Sequence, residues 1–573
     1  MKDRTVLWLS PYAALWDSSR LELKVAAAMS EAGYEITRVS CAGILDSFCA
    51  AMSSDKLSVD SLKWMKKSIC RDCNANSSAI NDSLEFGKLV NLDDQISKET
   101  LLSIEKLICS VNKENFDQFV VEDIPVGKYA MYLSLLHHKT QSVIETNESW
   151  MEYLSDLKNS LIALSAIKKI CEGGLPEYLL VTNPLYPINR VVTEYLTKLG
   201  VKLISVSAGG LLPDRFGTLN VFPTISSNQT VAHSESISRG VSIPLTRFED
   251  SRLDRHLHEL TQGKDFWVYS SLGTGLGASQ VRSLLGVRRE SPVVAVLLSS
   301  SDESRASSAF QAEYLDNLGL DLSGPVEFLE SVIAAAAELP DFDFVIRVHP
   351  RMFPNKREQV TSNDLNEIFS VLNSRSSNVH LNVPEQNLSI YEVMEITAVA
   401  LNHTSSAGLE FLGRGIPVVH YDPDRLGIYP YSFGFNVNRG GRISTAIKEA
   451  TQEGKSHQNV DAARGWWTTV LMRASIDVGS STFDLAPFET ESMTEPGPTL
   501  PWLFKSWAKK AFPKRLVVTV LRAIQRHRRL SNGANNDLSP NQKTEILYRI
   551  ETLKYQEVWE PQIIIRGEPD RLH

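Results

Sequence analysis

The sequence predicts an α/β protein built from two parallel-sheet domains that face a central cleft. Three observations lead there. Short apolar runs alternate with amphipathic helical patterns near the amino terminus and again after residue 290, and a stretch of weak periodicity separates the two regions. The 573 residues also far exceed one domain of ~150 residues, so two or three folding units are expected. Strands joined through helices pair in parallel and are covered on both faces, which is why they read as nearly continuous apolar runs.

In the first region Thr5–Leu9 reads as a buried strand, Ser10-Pro11 as a turn, and Leu21–Ala32 as a helix stopped by Gly33 before a strand at Tyr34–Ser40. A second β-α-β unit starts at Tyr178–Thr182. Its helix has Pro187 in the first turn and Val191, Val192, Tyr195, Leu196 and Leu199 at helical spacing, and a strand follows at Lys202–Val206. Between the two units, Asp46–Ser160 reads as a mostly helical insertion. From Ser226 to Ser291 the periodicity fades, and Gly273, Gly275 and Gly277 read as a flexible loop because no strand-turn-helix context surrounds them.

The second region is the clearer one. Strands are expected at Val293–Leu298, Phe342–Val348, Val379–Val383, Ala398–Asn402 and Pro417–Tyr421. Helices fit between them at Val326–Glu338, Leu365–Leu372, Ile390–Ile396 and Ser406–Gly413. The chain thus divides into an amino-terminal domain over 1–225, a connection over 226–290, a second domain over 291–480, and a linker with a tail over 481–573. Ligands of open α/β sheets bind beyond the carboxyl ends of the strands, so the cleft between the domains is the expected site.

Composition excludes several classes. With 43% hydrophobic and 22% charged residues the chain is neither disordered nor collagenous, and a net charge of −9 argues against a nucleic-acid binder. The apolar run Val6–Leu9 is too short for a secretory signal core, no stretch is long enough to span a bilayer, and six cysteines are too few for a disulfide framework. A cytoplasmic protein is expected. The charge is polarised, however: Pro501–Leu530 holds nine Lys and Arg and no acidic residue, which leaves −18 on the other 543 residues. A helix over Arg515–Leu530 would separate Leu516, Val517, Val520, Leu521 and Ile524 from Arg515, Arg522, Arg526 and Arg529. That pattern suits a helix lying on an anionic membrane, with Trp502, Phe504 and Trp507 as anchors; a basic helix packed on the acidic body is the alternative.

Two motifs carry chemistry. Arg347-Val348-His349-Pro350-Arg351 ends a predicted strand, where guanidinium groups suit phosphate and a histidine can protonate a departing phosphate oxygen. A structural His-Pro turn is the other reading. Asn402-His403-Thr404-Ser405-Ser406-Ala407-Gly408-Leu409-Glu410 follows a strand and opens a helix; free amides, two hydroxyls and a close-approach glycine would hold an anion, unless Ser simply caps the helix. Both motifs end predicted strands, so a donor is expected between them, at adjacent strands of the second sheet. Cys41, Cys49, Cys70 and Cys73 form C-x7-C-x20-C-x2-C, which fits either a structural zinc site or scattered buried thiols, so metal binding is left open.

Several segments resemble, in order, the GT-B glycosyltransferases of bacterial capsule polysaccharide biosynthesis and the CMP-sugar transferases with His-Pro and Ser-Ser motifs. They are Glu122-Asp123-Ile124-Pro125-Val126-Gly127-Lys128-Tyr129, the Asn183–Gly200 segment, Leu298-Ser299-Ser300-Ser301-Asp302-Glu303, Ile346-Arg347-Val348-His349-Pro350, and Ser405-Ser406-Ala407-Gly408-Leu409-Glu410 running on to Gly415-Ile416-Pro417-Val418. The resemblance spans residues 1–480 and implies two Rossmann-like domains, the first on the acceptor side and the second binding a nucleotide sugar.

It further implies a catalytic His349, with Arg347, Ser405, Ser406, Gly408 and Glu410 binding the nucleotide sugar, Glu410 through the ribose hydroxyls. The acidic-acidic-Gly motif that supplies the base in related sialyltransferases is broken by Ile124, so Asp123 is either the base or a turn carboxylate. The expected function is transfer of a sugar, CMP-linked Kdo or sialic acid among the candidates, to a surface polysaccharide or its lipid-linked precursor. No cofactor beyond the nucleotide-sugar substrate is required, since dipoles, hydroxyls and cations can stabilise the leaving phosphate. The expected location is peripheral, at the inner face of the cell membrane. A sugar-nucleotide epimerase, a CDP-glycerol-type glycerophosphotransferase and a non-catalytic assembly protein at the membrane are the alternatives.

Overall fold

Alternation along the strands shows how the layers form. In Thr5–Leu9, Val6 and Trp8 join one apolar cluster while Leu7 and Leu9 join another on the opposite face; in Val293–Leu297, Val294 and Val296 part in the same way from Val293, Ala295 and Leu297. Successive side chains point to opposite faces, so both sheets are buried on both sides. The computed structural model describes residues 4–82, 87–223, 235–263, 268–269, 271–303, 305–306, 325–355, 358–421, 433–438, 440–478 and 538–552.

The strands, in chain order, are β1 (Thr5–Leu9), β2 (Glu35–Ser40), β3 (Gly87–Asn91), β4 (Tyr178–Thr182), β5 (Lys202–Ala208), β6 (Thr218–Phe222), β7 (Val293–Leu297), β8 (Asp343–Arg347), β9 (Val379–Asn382), β10 (Thr397–Asn402), β11 (Val418–Tyr421), β12 (Phe435–Val437) and β13 (Ile476–Asp477). The helices of the first domain are α1 (Trp16–Glu31), α2 (Ala50–Ser54), α3 (Lys63–Asp82), α4 (Leu92–Gln95), α5 (Lys98–Ser110), α6 (Val126–His138), α7 (Asn147–Cys171) and α8 (Pro187–Lys198). The first sheet runs β13-β6-β5-β4-β1-β2-β3 and the second β12-β11-β10-β7-β8-β9.

Counted within its own domain, the second sheet has the order 3-2-1-4-5-6, parallel throughout, and the first has the same parallel 3-2-1-4-5 core with β6 added antiparallel to β5 and β13 antiparallel to β6. This is the doubly wound Rossmann order, and its switch points lie between β1 and β4 and between β7 and β10. Two such domains make the GT-B architecture expected from the sequence.

Three features go beyond what sequence pattern predicts. The insertion over 46–160 contributes β3, an edge strand, besides its helices. The connection is largely helical, at Glu235–Val241, Arg247–Gln262 and Ala278–Leu285, and its Ile237, Leu253, Val281 and Leu285 join an apolar cluster of the second domain. The glycine loop wraps a carboxylate: Thr274 N and Oγ1 and Leu276 N donate to Glu392 Oε1 at 2.8, 2.7 and 3.2 Å, with Gly273 and Gly275 at positive φ.

The chain then returns to the first domain. After the helix His457–Thr468 and a π-helical turn at Thr469–Arg473, β13 pairs with β6. Arg473, fully buried, forms an ion pair with buried Glu249 at 2.7 Å and caps the carbonyls of Gly240, Ile243 and Pro244. The basic segment 501–530 lies outside the described residues. Beyond it, the helix Pro540–Thr552 sits on the first domain, with Leu538, Ile546 and Ile550 in the cluster formed by Val6, Trp8 and α1 residues. Residues 476–478 and 538–552 thus complete the first domain rather than a free tail. Ile546→Ala should therefore cost about 2–4 kcal/mol in a denaturant titration, the usual loss for a fully buried isoleucine. An unchanged midpoint would show that this helix contributes nothing to the first domain.

Candidate functional site

Register brings the loops of the second sheet to one level. Leu297 of β7 pairs with Arg347 of β8 on one side and with Asn402 of β10 on the other. The loops that carry His349, Ser299–Glu303 and Ser405–Ser406 therefore leave the sheet side by side at its carboxyl edge. The strands of His349 and Ser405 are not adjacent, since β7 lies between them. Two strand spacings set those strands about 10 Å apart, with the switch point between β7 and β10 in the gap.

His349 starts a 3-10 turn, Pro350–Met352, and its Nδ1 accepts a hydrogen bond from Arg351 N at 3.2 Å. The Tyr269 ring meets it edge-on at 5.7 Å. Burial, and after it the cationic Arg351, Arg347 and Lys139, push this imidazole down to about 3, so it is neutral near pH ~7. Arg347 turns toward β9: its Nη1 donates to Asn382 Oδ1 and to Leu388 O at 2.9 Å.

At β10, Ser405 N donates to Asn402 Oδ1 at 3.1 Å and Ser405 Oγ accepts from Ala407 N at 3.3 Å, so Ser405 is buried and helps to start the helix Ala407–Leu412. Ser406 is exposed at the cap position, and Gly408 is buried in the first turn. Glu410 Oε2 accepts from the Tyr391 hydroxyl, and burial raises the Glu410 carboxyl to about 7. Its hydrogen bond is thus made to a protein hydroxyl here.

Sequence reasoning missed the polar junction beside His349. Arg351, 1% exposed, donates from Nε to Asp302 at 2.7 Å, and from Nη1 to Tyr269 Oη at 2.7 Å and Glu358 at 2.6 Å. Its Nη1 also lies 3.1 Å from Glu303, and Nη2 reaches Leu136 O at 3.4 Å. Lys139, left-handed (φ 51°) at the end of α6 and fully buried, gives its Nζ to Arg351 O, to Val360 O at 2.9 Å and to Glu358 at 3.1 Å. First and second domains therefore meet at the His349 loop. The Arg351 end of the motif was visible in the sequence; Lys139 carried no signal.

Glu122 and Asp123 are both left-handed, at φ 50° and 63°, inside a turn closed by mutual Val121–Ile124 hydrogen bonds. Glu122 pairs with Lys168, and Asp123 O accepts from Lys198 Nζ at 2.7 Å. Lys198 ends α8, a 12-residue helix running back from the carboxyl end of β4, so the turn sits roughly 18 Å from the cleft edge. Asp123 is a turn carboxylate in this geometry. Cys41, Cys49, Cys70 and Cys73 do converge, around a small cavity with Pro11, Met52 and Ile69. Among the described residues no cluster of His, Cys, Asp or Glu is arranged to hold a metal, and burial lifts the Cys41 and Cys49 thiols to about 12. Cys49 and Cys73 are buried and Cys41 and Cys70 half-buried, and burial raises all four thiols.

Fold and site define a two-domain α/β protein of GT-B architecture whose second switch point is flanked by a neutral histidine and a hydroxyl-rich helix start. No family model matches the chain, and no curated protein matches it. Among solved structures it is similar to a beta Kdo 2,4 transferase, KpsC of Thermosulfurimonas dismutans, at 12% identity over 52% of this chain and 80% of that one, with a TM-score of 0.32. It is also similar to the calicheamicin glycosyltransferase CalG4 (12%, 82% and 94%, TM-score 0.26) and to the UDP-GlcNAc 2-epimerase of Neisseria meningitidis (11%, 81% and 95%, TM-score 0.23). At such TM-scores these likenesses carry no argument, and the fold assignment rests on strand order.

An NMR titration should find His349 neutral down to about pH 4 in the free protein, and its pKa should rise when inorganic phosphate or a nucleotide offsets the surrounding cations. Titration near the ordinary value of about 6.5 without ligand would contradict the enclosure described.

Proposed function

We propose that the chain is a nucleotide-sugar-dependent glycosyltransferase that moves a sugar to a surface polysaccharide or its lipid-linked precursor, with CMP-linked Kdo or sialic acid as the donors to test first. One observation carries the reading: His349 and the Ser405–Ser406 loop leave the second sheet at one level on either side of β7, flanking its switch point. The order of sequence motifs supports it as well.

The chemistry follows from charge. A phosphate seated between these loops offsets Arg351, Arg347 and Lys139, so the imidazole of His349 gains a proton that it lacks in the free protein. As the bond from the anomeric carbon to the phosphate oxygen breaks, the electron pair stays on that oxygen and His349 supplies the proton. Ser405, Ser406, Gly408 and the amides of the helix start hold the phosphate, Arg347 adds positive charge, and Glu410 turns from Tyr391 to the ribose hydroxyls. No metal is needed for such stabilisation.

A panel of nucleotide sugars tests the reading. Nucleotide release coupled to sugar transfer is expected; an altered sugar would favour an epimerase, and the absence of both would overturn enzymatic transfer. His349→Ala should lower turnover by about 10²–10⁴ with circular dichroism unchanged, the range for a lost general acid. Near-normal turnover would make His349 structural.

The same reading has the chain cytoplasmic and peripheral at the inner membrane face, held through the basic residues of 501–530. Its support is sequence charge. Removing Pro501–His573 would also strip the docked helix Pro540–Thr552, so neutralisation is the cleaner test. Changing the nine Lys and Arg of this segment to Gln should release the protein from anionic vesicles at low salt, as each contributes ~1 kcal/mol near such a surface. Equal sedimentation of both proteins would place the segment on the protein body.

A further inference from the structure

On the first-domain side of the junction lies a second histidine unit that no sequence motif marks. Glu152, in the second turn of α7, is 4% exposed in its side chain and holds two imidazoles from the last turn of α6: Oε1 meets His137 Nδ1, and Oε2 lies 2.9 Å from His138 Nε2. Ser53 of α2 places its Oγ 2.7 Å from His137 Nε2 and 3.1 Å from its Nδ1, so the hydroxyl lies against the ring between the two nitrogens. The carboxylate is enclosed while His137 keeps 28% exposure, so the unit opens outward at the imidazole.

Its neighbours show where it opens. Leu136 O, one residue before His137, accepts from Arg351 Nη2, and Lys139, two residues after it, reaches Arg351 O. Both contacts lead to the loop that carries His349. One turn earlier on α6, Tyr132 feels the charges of Glu303 and Arg351 and lies 6.5 Å from Tyr186, which meets Tyr12 edge-on at 5.9 Å. Tyr12 follows β1 and Tyr186 precedes α8, so this wall stands at the switch point of the first sheet.

We propose that His137 is the general base that takes the proton of the acceptor hydroxyl, with Glu152 and Ser53 as its positioning residues. The inference rests on the glycosyltransferase reading above. An ionised Glu152 accepts from Nδ1–H, which leaves the lone pair of Nε2 as acceptor. The acceptor hydroxyl meets that lone pair while Ser53 stays against the ring. Its oxygen forms the new bond to the anomeric carbon, its proton passes to Nε2, and the bond from that carbon to the donor phosphate breaks with its electron pair leaving on phosphate. Two carboxyls one helical turn apart are driven in opposite directions, because the two histidines hold Glu152 down to about 2 against its burial, whereas burial and then the charge of Glu152 lift Asp156 well above the carboxylate range. Only Glu152 is therefore the anion that orients an imidazole.

The experiment compares the full-length chain with His137→Asn and Glu152→Asp, using whichever nucleotide sugar supports transfer, and reads kcat, donor KM and donor affinity by calorimetry. His137→Asn should lower kcat by about 10²–10⁴ with donor affinity unchanged, and Glu152→Asp, which draws the carboxylate back from both histidines, should lower kcat by at least about tenfold with the same split. If His137→Asn loses its fold by near-ultraviolet circular dichroism, Glu152→Asp decides alone. Undiminished kcat in a folded variant overturns the inference while leaving the glycosyltransferase reading in place. Failure of the wild-type chain to transfer sugar from any donor overturns both.

Discussion

The burial of one guanidinium organises the centre of this molecule. Arg351 is taken out of water between the domains, where an unpaired cation would cost several kcal/mol, and it is tolerated because Asp302, Glu303 and Glu358 surround it while Tyr269 and Leu136 supply neutral acceptors. Those partners come from the loops after β7 and β8, from the interdomain connection and from the end of α6. Satisfying one side chain therefore fixes how four segments meet. Lys139 repeats the constraint from the opposite domain, since its ammonium reaches Glu358 and the Arg351 carbonyl only because its backbone turns left-handed at the end of α6.

Burial, and after it the same cations, set the state of His349. A buried imidazole beside two guanidinium groups and an ammonium holds no proton near pH ~7, and an anion seated there would offset those cations and raise its pKa. Neutral histidine in the free protein and protonated histidine beside phosphate are then two states of one electrostatic arrangement. Rossmann order supplies the location, because connections from the strands on either side of a switch point run to opposite faces of the sheet, and β7 and β10 form that point here.

What the sequence made legible was local. Val293–Leu297 is a five-residue apolar run and Asp343–Arg347 holds apolar Phe344–Ile346 between charged ends, and their strand identity follows from their short length and β-branching. The helix Arg247–Gln262 was not read, because its polar composition hid it within a stretch that reads as a connection, although the Thr246–Glu249 capping box marks its start. Lateral order was not legible: that β7 separates β8 from β10 depends on pairings between strands some 50 to 100 residues apart. Nor was the junction, because Lys139 and Arg351 are 212 positions apart and nothing in His137-His138-Lys139 marks a residue that will be buried against a distant loop. The Glu122-Asp123 turn shows the reverse case, in which a motif-like pair of carboxylates is explained by backbone geometry at the wrong end of the sheet.

Under the proposed transfer, the two sides of the cleft handle protons in opposite senses, and their charges differ accordingly. The donor side sets Arg351, Arg347 and Lys139 beside a buried histidine without a proton, so it takes an anion first and a proton with it. The acceptor side sets one ionised carboxylate against two histidines, and the proposed base receives the hydroxyl proton there as the new bond forms. A hydroxyl proton released on one side and a phosphate protonated on the other leave the net charge of the cleft unchanged over the reaction. That neutrality matters in a closed site, where separated charge is costly. The polar junction through Lys139 and Arg351 is then more than an adhesive between domains, because it joins the end of α6, which carries His137, to the loop that carries His349.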